Sequence, residues 1–409
     1  MERIDPRTSS TRRLKLLDGT MQRCMKPSVA EPTSAYDMLR ALLPLAVSHV
    51  RERDAGAIDR IIGYWCVNDR AWSFLADEAE FHGVTPLLAP MIIARFEAAR
   101  AAIPDDARRI FVALAKRHQR ASVAREACID RLLAAFDAAN VPLLLLKGAA
   151  LAHILYSAPH LRAALDVDVL IDPADEACAR QIIRMLGYSF LQEHEPGFAR
   201  QHHHLPTAIT ERDGFTIALE IHRDAMSPDQ PHSITLRTMT QPPQIVHRGA
   251  GPSGLAFGHI DMLHHLARHA FEPASHVRLI HLYDLLLYRT IFREAIDWCA
   301  LHKRHPHVSV VLQLVDQVFS RGDDIASHPR DVPAGIGLGM LPLVQIAAAD
   351  IGLVAKMGKL LNPPAWWLHG YYGVPPGRSL LSCRAVRHPG TVVRWLGRRL
   401  MARATARAN

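Results

Sequence analysis

The sequence is short of cysteine, of aromatic residues and of long apolar runs. Six cysteines are spread over 409 residues, at Cys24, Cys66, Cys128, Cys178, Cys299 and Cys383, and none forms a Cys-x-x-Cys pair. That spacing argues against a structural zinc site and for a reducing compartment. No uninterrupted apolar stretch reaches the ~20 residues that a membrane-spanning helix needs. The opening MERIDPRTSSTRR has no apolar signal-peptide core. A cytoplasmic location is therefore expected. Neither His-Glu-x-x-His nor an adjacent His-Asp pair occurs anywhere, so two common hydrolase metal motifs are missing. There is no internal repeat, no low-complexity domain and no signature of an RNA-binding module.

What is present describes a globular, basic chain. Hydrophobic residues make up 49% and charged residues 22%, outside the range of disordered chains. The net charge of +8 favours anionic partners, whether nucleotide, nucleic acid or membrane surface, without choosing among them. Residues 1–34 are polar and basic and read as a flexible N-terminus. Residues 35–140 carry apolar side chains at three- and four-residue spacing, as in LRALLPLAV and SVAREACIDRLLAAFDAA, and read as a helical domain. From Val141 the rhythm changes. VPLLLL reads as a buried strand, ALAHILYS as a helix, LDVDVLID as an alternating strand and DEACARQIIRMLG as a helix closed by Gly187. Three further strands are expected in YSFLQEHE, HHHLPTAIT and FTIALEIH. Residues 141–250 thus form a small mixed sheet with helices packed on it, an α+β core. Loop dominates from Pro228 to about Gly258, and 251–380 reads as a C-terminal helical domain. Residues 381–409 form a basic amphipathic tail, with Val392, Val393, Leu396, Leu400 and Met401 among Arg394, Arg398, Arg399 and Arg403.

Chemistry concentrates in the middle domain. Asp166 and Asp168 stand two residues apart on one expected strand, so both carboxylates share a face while Val167, Val169 and Ile171 take the other. Two carboxylates this close repel unless a positive charge lies between them. A divalent cation supplies it, Mg²⁺ first, with Mn²⁺ as the substitute. In FTIALEIH, Glu220 and His222 share the face opposite Ile217, Leu219 and Ile221. If that strand runs beside LDVDVLI, Glu220 completes a three-carboxylate site. Gly148, after a strand and at the head of a helix, lets a phosphate approach backbone N–H groups. Lys147 and Arg162 are candidate phosphate contacts.

At these residues the chain resembles the uncharacterised nucleotidyltransferases, a group of the nucleotidyltransferase superfamily with a polymerase-beta-like fold. The matching pieces are LLLKGAALAHILY, PHLRAALDVDVLIDPAD, the helix ending MLGY, and LEIHRD. The resemblance extends over roughly 35–370 and is strongest over 141–225. It implies that Gly148 is the helix-head glycine, that Asp166 and Asp168 hold metal, and that Glu220 is the third acid. Ala149 stands where the superfamily has the second small residue of a Gly-Ser or Gly-Gly pair, and glutamate replaces the third aspartate. The implied activity is Mg²⁺-dependent transfer of a nucleoside monophosphate from a nucleoside triphosphate to a hydroxyl or similar group of a small molecule or peptide, with release of pyrophosphate. Kinase-like phosphoryl transfer, or non-catalytic nucleotide or RNA binding on the same fold, are the alternatives.

The 24 histidines add candidates for the acceptor side. His202 and His204 precede the Glu220 strand and would share a face, with His203 opposed. His222 shares the facing of Glu220. His265 and His269 lie at i and i+4 of an expected helix. Asp284, an acid inside the apolar run HLYDLLL, is expected to pair with an arginine or histidine. The basic tail offers a peripheral contact with an anionic membrane, and nucleic acid is the weaker partner class.

Overall fold

The computed structural model describes residues 35–47, 52–65, 69–98, 103–191, 203–227, 232–271, 277–319, 358, 361–394 and 396–397. Five helices come first: α1 (Ala35–Val47), α2 (Glu52–Trp65), α3 (Asp69–His82), α4 (Thr85–Ala98) and α5 (Asp105–Ala138). The 34-residue α5 follows Pro104, carries Asp105 and Asp106 in its first turn, and ends before Asn140 at φ 53°. Those are favourable ends: acids near the positive pole of the helix dipole, and a residue type tolerant of the left-handed region just past the end. Its apolar stripe of Phe111, Ala124, Cys128, Ile129, Leu132 and Phe136 is buried.

The sheet follows: β1 (Leu144–Leu145), α6 (Lys147–Ile154), β2 (Asp166–Leu170), α7 (Glu176–Met185), β3 (Ser189–Phe190), β4 (Ala208–Arg212) and β5 (Phe215–His222). The strand order is β1-β2-β5-β4-β3. β2 and β5 are parallel, and the other pairs are antiparallel. The β4–β5 hairpin turns on Asp213 and Gly214, at φ 52° and 80°, the mirror-image turn that suits the twist of a two-residue hairpin. Val167 and Val169 on β2, and Ile217, Leu219 and Ile221 on β5, are buried. The alternation read from the sequence therefore puts the acidic positions on the opposite face. This is the mixed α+β core, flanked by helical regions, that the resemblance implied.

A short hairpin, β6 (Gln244–Val246) with β7 (Gly254–Ala256), lies in the segment expected to be loop. Three-residue strands among Pro242, Pro243, Gly249, Gly251 and Pro252 leave no window in which alternation can be read. Further helices among the described residues are α8 (His259–His269), α9 (Leu279–Ile291), α10 (Trp298–Arg304), α11 (His307–Phe319) and α12 (Ala365–Tyr372), and residues 381–394 are also helical. α8 ends at His269 and α9 begins at Leu279; Pro273, where the break is expected, lies outside the described residues. The helix expected in LVQIAAADIGLVAKMGKLL lies largely outside the described residues, as do the N-terminus and the last twelve residues of the tail. Met38, Leu132, Val169, Leu285 and Tyr371 belong to one hydrophobic cluster, so the sheet and both helical regions share a core. Among the described residues no helix is long and apolar enough to cross a membrane.

One polar network fastens α5 to the core. Arg248 donates to Glu126 Oε2 at 2.5 Å and to Asp130 Oδ1 at 2.6 Å, and His153 Nε2 lies 2.8 Å from the same Glu126 oxygen. Burial raises the Glu126 pKa, but His153 and Arg248 outweigh it and hold the carboxyl below its usual range. A depressed folded pKa gives stability that is full above the unfolded value of about 4.3 and is lost as pH falls through the folded value. Glu126→Gln should therefore unfold more easily at pH 7, by about 1–3 kcal/mol. In denaturant melts the gap from the native protein should close as pH is lowered below about 4. A gap that persists at acid pH would contradict this account.

Candidate active site

The site is built where β1 hands over to α6. Leu146 donates its backbone N–H to the Asp168 carbonyl at 2.9 Å, which extends the β1–β2 pairing to the edge of the turn. The chain then bends abruptly, with Lys147 at φ 42°. A side chain in that left-handed region costs about 1 kcal/mol or more, so the surroundings must hold it there. The Lys147 ammonium lies 2.9 Å from Asp168 Oδ1.

Gly148 follows, buried, with Ala149 behind it. A Cβ at 148 would come within 2.8 Å of Arg162 Nη1 and 3.2 Å of the Ala164 Cβ. The missing side chain therefore makes room for a guanidinium. Arg162 Nη2 donates to Asp284 Oδ2 at 2.7 Å, and Nη1 donates to the Ala163 carbonyl at 2.7 Å. The Tyr156 hydroxyl donates to Asp284 Oδ1 at 2.7 Å. Asp284 has the arginine partner expected of it. Arg162 is placed differently from the mobile phosphate contact read from the sequence: it is a buried strut between the core and α9.

The carboxylates face each other across β2 and β5. The parallel register sets Asp168 against Glu220 and Asp166 against Ala218. Asp168 is 3% exposed. Its Oδ1 lies 2.8 Å from His222 Nε2, which in turn is 3.6 Å from Glu220 Oε2. Burial pushes the Asp168 carboxyl up, yet Lys147 and His222 outweigh burial and hold it well below the usual carboxylate range. Asp166 moves the other way, raised first by the charge of Asp168 and then by burial. One aspartate of the pair is thus held ionised and its neighbour is made easier to protonate.

Ligand atoms of Asp168, Glu220 and His222 all lie within 4.8 Å of one another. Two carboxylates and an imidazole are a donor set that suits a divalent cation; the oxygens favour Mg²⁺ or Mn²⁺, and the nitrogen widens the choice. The sequence reading grouped Asp166, Asp168 and Glu220. In the structure His222 joins the group, because it follows Glu220 on the same face of β5. Asp166 stands two residues earlier, at the start of β2.

The histidine candidates divide. His202 lies outside the described residues. His204 Nδ1 is 2.6 Å from the Leu205 carbonyl oxygen, and its ring centroid is 5.5 Å from that of His222. His203, expected on the opposite face, is also near, at 5.0 Å from His222. Here the chain forms a single bridge rather than a regular strand, so simple alternation does not apply. On α8, the His265 and His269 rings stack with centroids 6.1 Å apart, and His281 of α9 lies 4.8 Å from His269. His265 is buried, and among the described residues neither of its ring nitrogens has a hydrogen-bond partner. Burial first, and then His269, Lys147 and His222, push its pKa well below the usual histidine value, against the pull of Asp168. The structure thus brings α8 to the carboxylates. It adds His203, which strand alternation had turned away, and His281, whose only signal in the sequence was residue type.

Two substitutions test the scaffold. Asp284→Ala strands a buried guanidinium and should cost about 3–5 kcal/mol in a denaturant melt. Gly148→Ala drives a methyl group into Arg162 and should cost about 1–3 kcal/mol. A melt unchanged by Gly148→Ala would mean that Arg162 is not held where it is described.

The chain matches no curated protein. Among solved structures it is similar to the antibiotic-resistance factor ANT(2'')-Ia in a crystal complex with adenylyl-2''-tobramycin, at 17% identity over 43% of this chain and 95% of that one, with a TM-score of 0.31. A solution structure of the same factor matches at 17% identity, over 46% and 99% of the two chains, with a TM-score of 0.28. An antigenic nucleotidyltransferase-like protein from Paracoccidioides brasiliensis matches at 16% identity, over 47% and 93%, with a TM-score of 0.30. Similarities this weak carry no argument about substrate. The family match is of another order, covering well over half of the sequence: through residues 68–311 the chain belongs to the family described as uncharacterised nucleotidyltransferase.

Proposed function

We propose that the protein is a Mg²⁺-dependent nucleotidyltransferase that moves a nucleoside monophosphate from a nucleoside triphosphate to a hydroxyl of a small molecule or peptide. The observation that carries this reading is the register of Asp168 against Glu220 on parallel strands, with the Lys147 ammonium on Asp168 at the head of α6. A binding protein has no need to bury and converge these acids, because holding them ionised side by side is costly without a cation.

In this reading Asp166, Asp168 and Glu220 hold the divalent ion, with His222 beside them. Bound there, Mg²⁺ or Mn²⁺ would polarise phosphoryl oxygens and offset the charge that builds up during in-line displacement. Lys147 and the backbone at Gly148 and Ala149 face the phosphates, and Arg162 keeps that backbone in place from beneath. In this reading His204 and His269, both half-buried, are the histidines offered to the acceptor, while His265 stays buried. The acceptor hydroxyl gives its proton to a nearby carboxylate or imidazole. Its oxygen bonds to the alpha phosphorus as the bond to the bridging oxygen breaks, and pyrophosphate leaves. Near the C-terminus, exposed Val386 and Val393 beside exposed Arg387 and Arg394 suit peripheral contact with an anionic membrane.

Thermal melts with ATP, GTP, CTP or UTP plus Mg²⁺ test the reading on the native protein and on Asp166→Asn/Asp168→Asn. A ligand that binds only the folded state raises the melting temperature. One nucleotide should raise it in a Mg²⁺-dependent way, and the double variant should lose the rise. Equal responses in both proteins would remove the carboxylates from the account. With an acceptor in hand, release of pyrophosphate rather than nucleoside diphosphate would separate nucleotidyl from phosphoryl transfer.

A further inference from the structure

A second group of charges lies on another face of α8. His264 and Arg268 are four residues apart and so share a side of that helix, about 100° around from the side of His265 and His269. Arg268 is 0% exposed, and among the described residues none of its three guanidinium nitrogens has a hydrogen-bond partner. Around it stand His264, His305 and His307. The His264 and His305 rings stack at 3.8 Å, and His264 Nδ1 is 3.2 Å from His307 Nε2. A Cβ at Gly373 would lie 2.3 Å from Arg268 Nη1 and 3.6 Å from His307 Nδ1, which places the guanidinium end against that ring and that backbone. Both ring nitrogens of His305 and Nε2 of His264 are buried without partners among the described residues.

This is a buried guanidinium whose N–H groups meet no acceptor among the described residues. An arginine cannot shed its proton readily, and burial lowers its pKa here only to about 9, so it stays charged at neutral pH. Among the described residues no carboxylate acts on it; the charged neighbour that does, Arg387, has the same sign. An isolated buried charge is among the least tolerable features of a protein interior. A metal ion does not answer the need, since Arg268 would repel it. The neutral histidines can bond an anion but cannot balance the guanidinium. His232 is exposed, and its ring lies 6.1 Å from His264 and 6.3 Å from His305, which marks the side on which the group meets solvent.

We propose that Arg268, with His264, His305 and His307, binds a compact oxyanion of the phosphate type, at a site separate from the carboxylate cleft. One imidazole N–H is spent between His264 and His307, but the five N–H donors of the guanidinium and the two N–H groups left on the three rings still exceed what the two oxygens of a carboxylate can take. A tetrahedral anion with three or four oxygens matches them better.

The test is a set of thermal melts of the full chain in phosphate- and sulfate-free buffer at constant ionic strength, with inorganic phosphate or acetate added. Lys147→Met is included because Lys147 is the other phosphate contact. The native protein should show a saturable rise with phosphate, of roughly 3 °C at about 100 times the dissociation constant. Lys147→Met should keep that rise and Arg268→Met should lose it. Without phosphate, Arg268→Met should melt no lower than the native protein, because it removes an uncompensated buried charge. His305→Asn should weaken phosphate binding in a calorimetric titration by about tenfold, the loss of one good hydrogen bond. The proposal is overturned by the absence of a phosphate response or by an equal response in Arg268→Met. It is also overturned by a larger response to acetate, or by an Arg268→Met protein that fails to fold or melts several degrees lower without anion.

Discussion

Burying the Asp168 carboxylate is the constraint on which the rest of the site depends. A group that is 3% exposed stays ionised only if positive charge is brought to it. Lys147 does so at 2.9 Å, and His222 Nε2 lies 2.8 Å from the same oxygen. The Lys147 ammonium stands at that oxygen from a left-handed backbone, at the bend where the chain leaves β1 and starts α6. His222 faces it because β5 runs parallel to β2 and brings Glu220 along in register. The bend, the strand direction and the third acid are therefore one arrangement. The same oxygens that need cations within the protein are those offered to a metal and a triphosphate.

A second buried ion pair supports the first. Arg162 lies under Gly148 and reaches Asp284 of α9, while Tyr156 occupies the other oxygen of that aspartate. The C-terminal helices are thus fastened to the head of α6, where the phosphates are proposed to bind. α8 packs against α9, so the histidines of the helical region stand over a sheet that is distant from them in sequence. A small sheet offers only one open face, and the flanking helices supply the rest of the wall.

Much of this was legible in the sequence because it obeys short periodicities. LDVDVLI and FTIALEIH alternate, which fixed the faces of Asp166, Asp168, Glu220 and His222. Lys147 and Gly148 announced the strand-to-helix turn, and Asp284 stood out as a charge in an apolar run. What could not be read depends on contacts between elements. Nothing local says that Arg162 would choose Asp284 over a phosphate, or that His222 would stand closer to Asp168 than to an acceptor. The hairpin of β6 and β7 is too short for any pattern. The grouping of His264, His305 and His307 around Arg268 exists only once α8 and α11 are packed together.

The most direct test of the central claim is Mn²⁺ binding, followed by the electron paramagnetic resonance signal of the free ion. Native protein and Glu220→Gln would each be titrated with and without a non-hydrolysable nucleoside triphosphate. Glu220→Gln keeps the shape of the side chain and leaves Asp168 with Lys147 and His222, so the fold is not at issue. The account predicts saturable loss of the free-ion signal in the native protein, tighter with nucleotide, and at least tenfold weaker binding in the variant, the equivalent of about 1.4 kcal/mol. Equal binding by both proteins, or none by the native protein, would contradict the assignment of these carboxylates to a metal-nucleotide site.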